Sequence, residues 1–74
     1  MSMKVKEVIK ILEENGWVYQ RTRGDHRIYY KAGMRRTISI PGKLSNDMRE
    51  GTYQGILRQA GIKEIVRQIK NENN

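Results

Sequence analysis

The chain has 74 residues, of which 36% are hydrophobic, with no Cys, a single His and a formal net charge of +7 at pH 7. A chain this short buries only roughly 60% of its unfolded surface, so we expect one domain over residues 1–74 with a thin core. Without Cys, disulfides, thiolate nucleophiles and Cys-ligated zinc are excluded, and one His excludes multi-histidine metal sites. We expect no cofactor.

The positive charge predicts an acidic partner, such as nucleic acid, an anionic membrane surface or an acidic protein. Residues 17–40 carry six Lys and Arg against Asp25 alone, whereas residues 1–16 are neutral. This middle third is therefore where we expect the partner to bind. No apolar run approaches the roughly 20 residues that span a bilayer, and the start does not resemble a signal peptide, so we expect a cytoplasmic protein without membrane contact.

Apolar residues in the first segment recur at helical spacing, which predicts a helix over about residues 4–15 that ends at Gly16. Residues 17–23 are rich in aromatic and β-branched side chains and predict a strand, with Trp17 packed under the helix rather than stacked on a base. Gly24 and Asp25 predict a tight hairpin turn. The helical stripe consists of Val5, Val8, Ile9 and Leu12.

Residues 26–31 predict a second strand, and period-2 alternation divides its side chains between two faces. One face carries His26, Ile28 and Tyr30, and the other carries Arg27, Tyr29 and Lys31. The sequence leaves open which face meets solvent. A third strand is predicted over residues 35–40, where Ile38 and Ile40 point inward, before Pro41 and Gly42 end it.

Residues 43–50 predict an irregular loop. Thr52 is the expected cap of a second helix that ends at Gly61, and a short last helix is expected over about residues 63–70, followed by a frayed tail at 71–74. The predicted class is α+β, with the order helix, three-stranded antiparallel sheet, helix and short C-terminal helix. The second helix has a stripe of Tyr53, Ile56, Leu57 and Ala60, and Ile62 is expected to pack back.

Four stretches, in order and with matching spacing, resemble the HicA toxins of bacterial and archaeal toxin-antitoxin pairs. They are Lys6-Glu7-Val8-Ile9-Lys10 leading to Asn15-Gly16-Trp17, Arg23-Gly24-Asp25-His26-Arg27-Ile28-Tyr29, Arg36-Thr37-Ile38-Ser39-Ile40-Pro41, and residues 51–62. The resemblance implies a fold like the double-stranded RNA-binding domain, a metal-independent RNA-cleaving activity, and inhibition by a HicB-type antitoxin protein. It also implies that His26 is catalytic. Two departures are Asp25, where relatives often have Ser or Gly, and the segment Pro41-Gly42-Lys43, where many relatives carry a second His after the proline.

The residues themselves fit this chemistry, because histidine exchanges protons near neutral pH and guanidinium groups match phosphate oxygens. We therefore expect His26 to act as general acid or base on mRNA, with Arg23, Arg27 and Lys31 holding the phosphate. Tyr29 or Tyr30 could stack on an unpaired base, although sheet or core packing explains both equally well. With one histidine, the second proton-transfer group stays unassigned, and Asp25 could either orient His26 or repel RNA.

Two other interpretations stay open from the sequence. The chain could be a basic RNA-binding module of the same fold without catalysis, for which His26 would be an ordinary solvated turn residue. It could also bind DNA through the helix over residues 51–61, although the positive charge concentrates on the strands rather than on that helix.

Overall fold

Residues 2–62 are described by the computed structural model, and they form two helices, a three-stranded antiparallel sheet and a two-stranded antiparallel sheet. In chain order the elements are β1 (Ser2–Lys4), α1 (Val5–Glu14), β2 (Val18–Arg23), β3 (His26–Tyr30), β4 (Ile38–Pro41), β5 (Asp47–Arg49) and α2 (Glu50–Gln59). The predicted α+β class is confirmed. The predicted last helix and the tail at 71–74 lie outside the described residues. Neither α1 nor α2 is long and apolar enough to cross a membrane.

The core lies between the two helices and one face of the three-stranded sheet. Helix α1 buries the predicted stripe, and its chain reverses at Gly16, whose φ of +92° is readily available only to glycine. This reversal lets the Trp17 backbone N–H donate to the Leu12 carbonyl and buries the Trp17 ring as predicted. The core cluster comprises Val5, Val8, Ile9, Leu12, Trp17, Tyr29, Ile38, Ile40, Met48, Tyr53, Leu57, Ala60 and Ile62.

Strand β3 is the central strand of the order β2-β3-β4. A two-residue turn joins it to β2, with Gly24 at a φ of +64°, so that Arg23 pairs with His26. A bulge between Tyr19 and Arg21 shifts the register farther along β2. Glycine at the first turn position is typical of the tight hairpins whose twist matches that of their strands.

Paired residues in an antiparallel sheet point to the same face, which settles the question that alternation left open. Tyr29 pairs with Ile38, and both belong to the core, so this face packs against the helices. His26, Ile28 and Tyr30 therefore lie on the opposite face of β3. We call it the open face, because neither α1 nor α2 covers it; His26 and Tyr30 are exposed there, whereas Ile28 between them is 7% exposed.

Residues 43–50 were expected to be irregular, and this prediction is wrong for their last part. Strand β5 pairs with β1, matching Met3 with Met48 and Lys4 with Asp47. The Lys4 ammonium lies 3.0 Å from the Asp47 carboxylate, and Met48 is 5% exposed. The loop after β4 is thus attached to the start of the chain through a second small sheet.

The boundaries of two other elements also differ from the prediction. Helix α2 begins at Glu50, directly after β5, with Arg49 at the capping position, so Thr52 lies inside the first turn and does not cap it. Strand β4 begins at Ile38, which leaves residues 35–37 outside any strand. Ile38 and Ile40 are buried as predicted.

Candidate active site

The open face carries the only histidine of the chain at the start of its central strand. His26 pairs with Arg23 of β2 on one side and with Pro41 of β4 on the other. Its side chain is 48% exposed. The backbone of His26 is therefore held between two neighbouring strands, and a ligand lying across the sheet can reach the imidazole.

The neighbouring carboxylate contacts the imidazole directly. Oδ1 of Asp25 lies 2.9 Å from Nδ1 of His26, a hydrogen-bonding distance, and the Asp25 side chain is 84% exposed. The partner of one ring nitrogen sets the role of the other. In a neutral ring that carries its proton on Nδ1, beside Asp25, the lone pair lies on Nε2, which can then accept a proton.

Four cationic side chains of β2, β3 and the residue after β3 are divided between the two faces of the sheet. Arg23 lies opposite His26, and Arg21 lies opposite Ile28, so both belong to the open face. Arg27 lies on the helix face instead. Lys31 follows β3 and approaches Gly16, where an added Cβ would lie 3.3 Å from Lys31 Cε.

Arg27 has a structural contact that explains its partial burial. Its Nη1 donates to the Gly42 carbonyl at 2.9 Å, which ties β3 to the loop after β4. Arg27 thus lies on the face opposite His26, and Lys31 lies beyond β3 next to Gly16, so the structure does not bring either side chain to the face of His26. The structure brings together Arg23, Asp25 and His26.

The two tyrosines considered for base stacking have different surroundings. Tyr29 is 3% exposed and packs edge-to-face with Tyr19, at 5.9 Å between ring centroids, so neither of its ring faces is available to a base. Burial, followed by the charge of Glu13, raises the pKa of Tyr29. Tyr30 is 44% exposed on the open face beside Val18, so only Tyr30 can still be a stacking platform.

Two residues of the open face were not found by sequence reasoning. Strict alternation along β2 would place Arg21 on the same face as Tyr19, yet the bulge between them moves Arg21 to the side of His26. Val18 is 58% exposed and pairs with Tyr30 at the far end of the face. No turn residue marks the bulge, because position 20 is Gln.

The fold and the site define a small basic α+β protein with a histidine-carboxylate pair beside arginine on an open sheet face. Residues 5–62 match the family described as HicA toxin of bacterial toxin-antitoxin. A chain of a toxin-antitoxin complex from Streptococcus pneumoniae is 37% identical, with a TM-score of 0.68 over 80% of this chain and 97% of that one. No curated protein matches significantly. The chain belongs to the HicA toxin family, as its sequence pattern predicts.

Proposed function

We propose that this toxin is a metal-independent endoribonuclease that cleaves single-stranded mRNA, with His26 as the proton-transfer residue. The observation that carries the proposal is the placement of the imidazole on an open face, with Nδ1 against Asp25 and Arg23 in the neighbouring strand. A polymeric substrate fits this face because the site is a surface and not an enclosed pocket.

The proposed reaction is attack of a ribose 2′-hydroxyl on the adjacent phosphorus. Nε2 of His26 accepts the hydroxyl proton, the O2′–P bond forms and the P–O5′ bond breaks. The leaving 5′-oxygen takes a proton from water, which leaves a 2′,3′-cyclic phosphate and a 5′-hydroxyl end. Arg23, with Arg21 beside it, stabilises the charge that develops on the phosphate oxygens.

The far end of the open face supplies a second contact for the RNA. Tyr30 lies four residues along β3 from His26, a separation of about 13 Å at the usual rise of a strand. An unpaired base that stacks on Tyr30 would hold the strand across the face while the phosphate lies at His26. Val18, opposite Tyr30, would support the base from the side.

We propose a HicB-type antitoxin as the protein partner, supported by the family and by the similarity to a chain of a toxin-antitoxin complex. The net charge of +7 favours an acidic surface on that partner. An antitoxin bound over the open face would exclude RNA from His26. Salt should slow the association, because screening weakens the long-range attraction between opposite charges.

The decisive experiment is incubation of the purified protein with single-stranded RNA in excess chelator. Discrete fragments with cyclic phosphate ends are expected, and His26→Ala should slow their formation by about 100-fold or more, since a general acid or base contributes roughly that factor. Circular dichroism should show an unchanged fold, because His26 is outside the core cluster. Tight salt-dependent RNA binding without fragments would instead support the non-catalytic RNA-binding module.

Expression in cells provides an independent test. Wild-type protein should arrest growth, and His26→Ala should not. Co-expression of the antitoxin should restore growth of the wild-type strain. Arrest by His26→Ala at equal protein levels would remove His26 from the toxic activity.

A further inference from the structure

Two cavities lie side by side along the loop between β4 and β5. The first, of about 340 Å³, is lined by Asp25, Arg27 and Lys43 among others. The second, of about 280 Å³, extends to Arg49 at the start of α2. Both are also lined by Gly42 and Asn46, so the two cavities are adjacent, and we call the pair the loop groove.

The loop groove lies on the side of the sheet that carries Thr22 and Arg27, and it approaches His26 of the open face at the β2–β3 turn. Asp25, which contacts His26 Nδ1, lines the first cavity, and Pro41, the strand partner of His26, lines the second. Gly42 lies between the cavities with a φ of +88°, and a Cβ there would lie 3.2 Å from Asn46 Nδ2. The glycine therefore keeps the junction of the two cavities clear.

The charges that line the loop groove favour an anion. Its two carboxylates are already engaged, Asp25 with His26 at 2.9 Å and Asp47 with Lys4 at 3.0 Å. Within residues 2–62, neither Lys43 nor Arg49 forms an ion pair with a carboxylate. Their side chains are therefore available to a negatively charged ligand at successive positions along the groove.

The exposed cations of the lining favour a phosphodiester backbone over a protein segment. Protein interfaces depend on buried apolar anchors, whereas contacts to a nucleic-acid backbone use cations and polar groups. None of the exposed large hydrophobic side chains found among residues 2–62 lines either cavity. Val5, Pro41 and Met48 line the second cavity, but Val5 and Met48 are buried, whereas the cations Lys43 and Arg49 are exposed. Charge therefore favours a phosphodiester backbone as the ligand.

From these observations we propose that the loop groove binds the RNA backbone beyond the scissile phosphate, with Lys43 and Arg49 each contacting one further phosphate. This inference rests on the proposed function and extends it. The preferred substrate is a single strand long enough to occupy both the open face and the loop groove. A dinucleotide, which has one phosphate, would reach His26 alone.

The test measures binding of a single-stranded 2′-O-methyl oligonucleotide, which cannot be cleaved because its 2′-oxygens are blocked. Lys43→Gln and Arg49→Gln should each raise Kd about fivefold for a probe of about twelve nucleotides, and each should reduce the salt slope by about 0.7. The matched control is Arg36→Gln, which removes the same charge from the loop before β4, at the opposite end of the sheet from His26. Its Kd should change less than about twofold, because distant exposed charges are screened.

The inference is overturned if Arg36→Gln weakens binding as much as the groove variants, since net charge alone would then explain the effect. It is also overturned if Lys43→Gln and Arg49→Gln reduce affinity for the antitoxin but not for RNA. Dinucleotide cleavage should be unchanged in both groove variants. Because the probe is not cleaved, loss of binding in a protein without nuclease activity would refute the proposed function while supporting the loop groove.

Discussion

Removing the Asp25 carboxylate should lower kcat and KM together, because this side chain has two opposing effects at the site. In the proposed mechanism, its contact with Nδ1 of His26 favours the tautomer that leaves Nε2 able to accept a proton. In the same mechanism, the negative charge of this side chain, which is 84% exposed, would repel a phosphate that approaches Arg23 and His26. Asp25→Ala abolishes both effects.

The size of each effect follows from solvent exposure. A buried carboxylate that orients a catalytic histidine is worth about 10⁴ in kcat, as the serine-protease triad illustrates. Asp25 and His26 are 84% and 48% exposed, and exposed charged pairs contribute only about 0.2–1 kcal/mol. At about 1.4 kcal/mol per tenfold, kcat should fall by at most about fivefold. Relief of the repulsion should lower KM by a similar factor, so kcat/KM changes little.

Steady-state cleavage of a single-stranded RNA, carried to saturation, separates the two effects. Asp25→Asn retains a hydrogen-bond acceptor without the charge, so its kcat should stay near that of the wild type while its KM falls. Nitrogen-15 spectra of the imidazole should show the Nδ1–H tautomer in the wild type and its loss in Asp25→Ala. Glu14→Gln, an exposed carboxylate at the end of α1, is the charge-matched control and should change neither constant.

Specific outcomes would refute this reasoning. An unchanged kcat in Asp25→Ala, together with an unchanged tautomer, would show that the carboxylate does not position the ring. A KM that does not fall in Asp25→Asn would show that RNA does not pass near this charge. A loss in kcat of a thousandfold would mean that the pair is shielded from solvent when RNA is bound.

Three further predictions concern the sheet and the core. Tyr30→Ala should raise KM for RNA at least fivefold, since stacking is worth about 1–3 kcal/mol per base, whereas Tyr30→Phe should not. Leu12→Ala should lower the free energy of unfolding in urea by about 2–5 kcal/mol, because Leu12 is fully buried. Burial raises the pKa of Tyr29, so above about pH 10 the unfolded chain loses this proton first and stability falls as pH rises. Melting curves of Tyr29→Phe should show a smaller decrease in Tm at alkaline pH than those of the wild type. An equal decrease would contradict a raised pKa of Tyr29 as its cause.

The parts of the fold that sequence predicted are those encoded by local periodicity. Helix α1 repeats its apolar residues over about two turns, so its buried face could be assigned without a structure. Strand β5 could not be found in this way, because three residues show no periodicity and their pairing partner lies more than forty positions away in β1. Thr52 suits a capping position by residue type, but β5 runs directly into α2 at Arg49, which has no side-chain capping bond.

The position of His26 in the fold follows from local turn chemistry, whereas the face on which each neighbouring cation lies follows from strand alternation and register. The Gly24-Asp25 turn places His26 at the start of β3 as expected. Arg27 is next to His26 in sequence, but strand alternation places its side chain on the other face of the sheet. Two residues that are adjacent in a strand therefore do not contact the same ligand on one face. Which face is open depends on helix packing, a tertiary property that no single strand encodes.

The bulge in β2 protects this protein from self-association at high protein concentration. Strand β2 is an edge strand, and natural sheets protect such edges from joining those of other molecules with bulges and charged side chains. Gln20 supplies the irregularity, and Arg21 and Arg23 supply the charge. Deleting Gln20 would remove the bulge, straighten the edge strand β2 and turn the side chains that precede the bulge to the opposite faces of the sheet. We therefore expect this deletion variant to self-associate by pairing of its β2 edges.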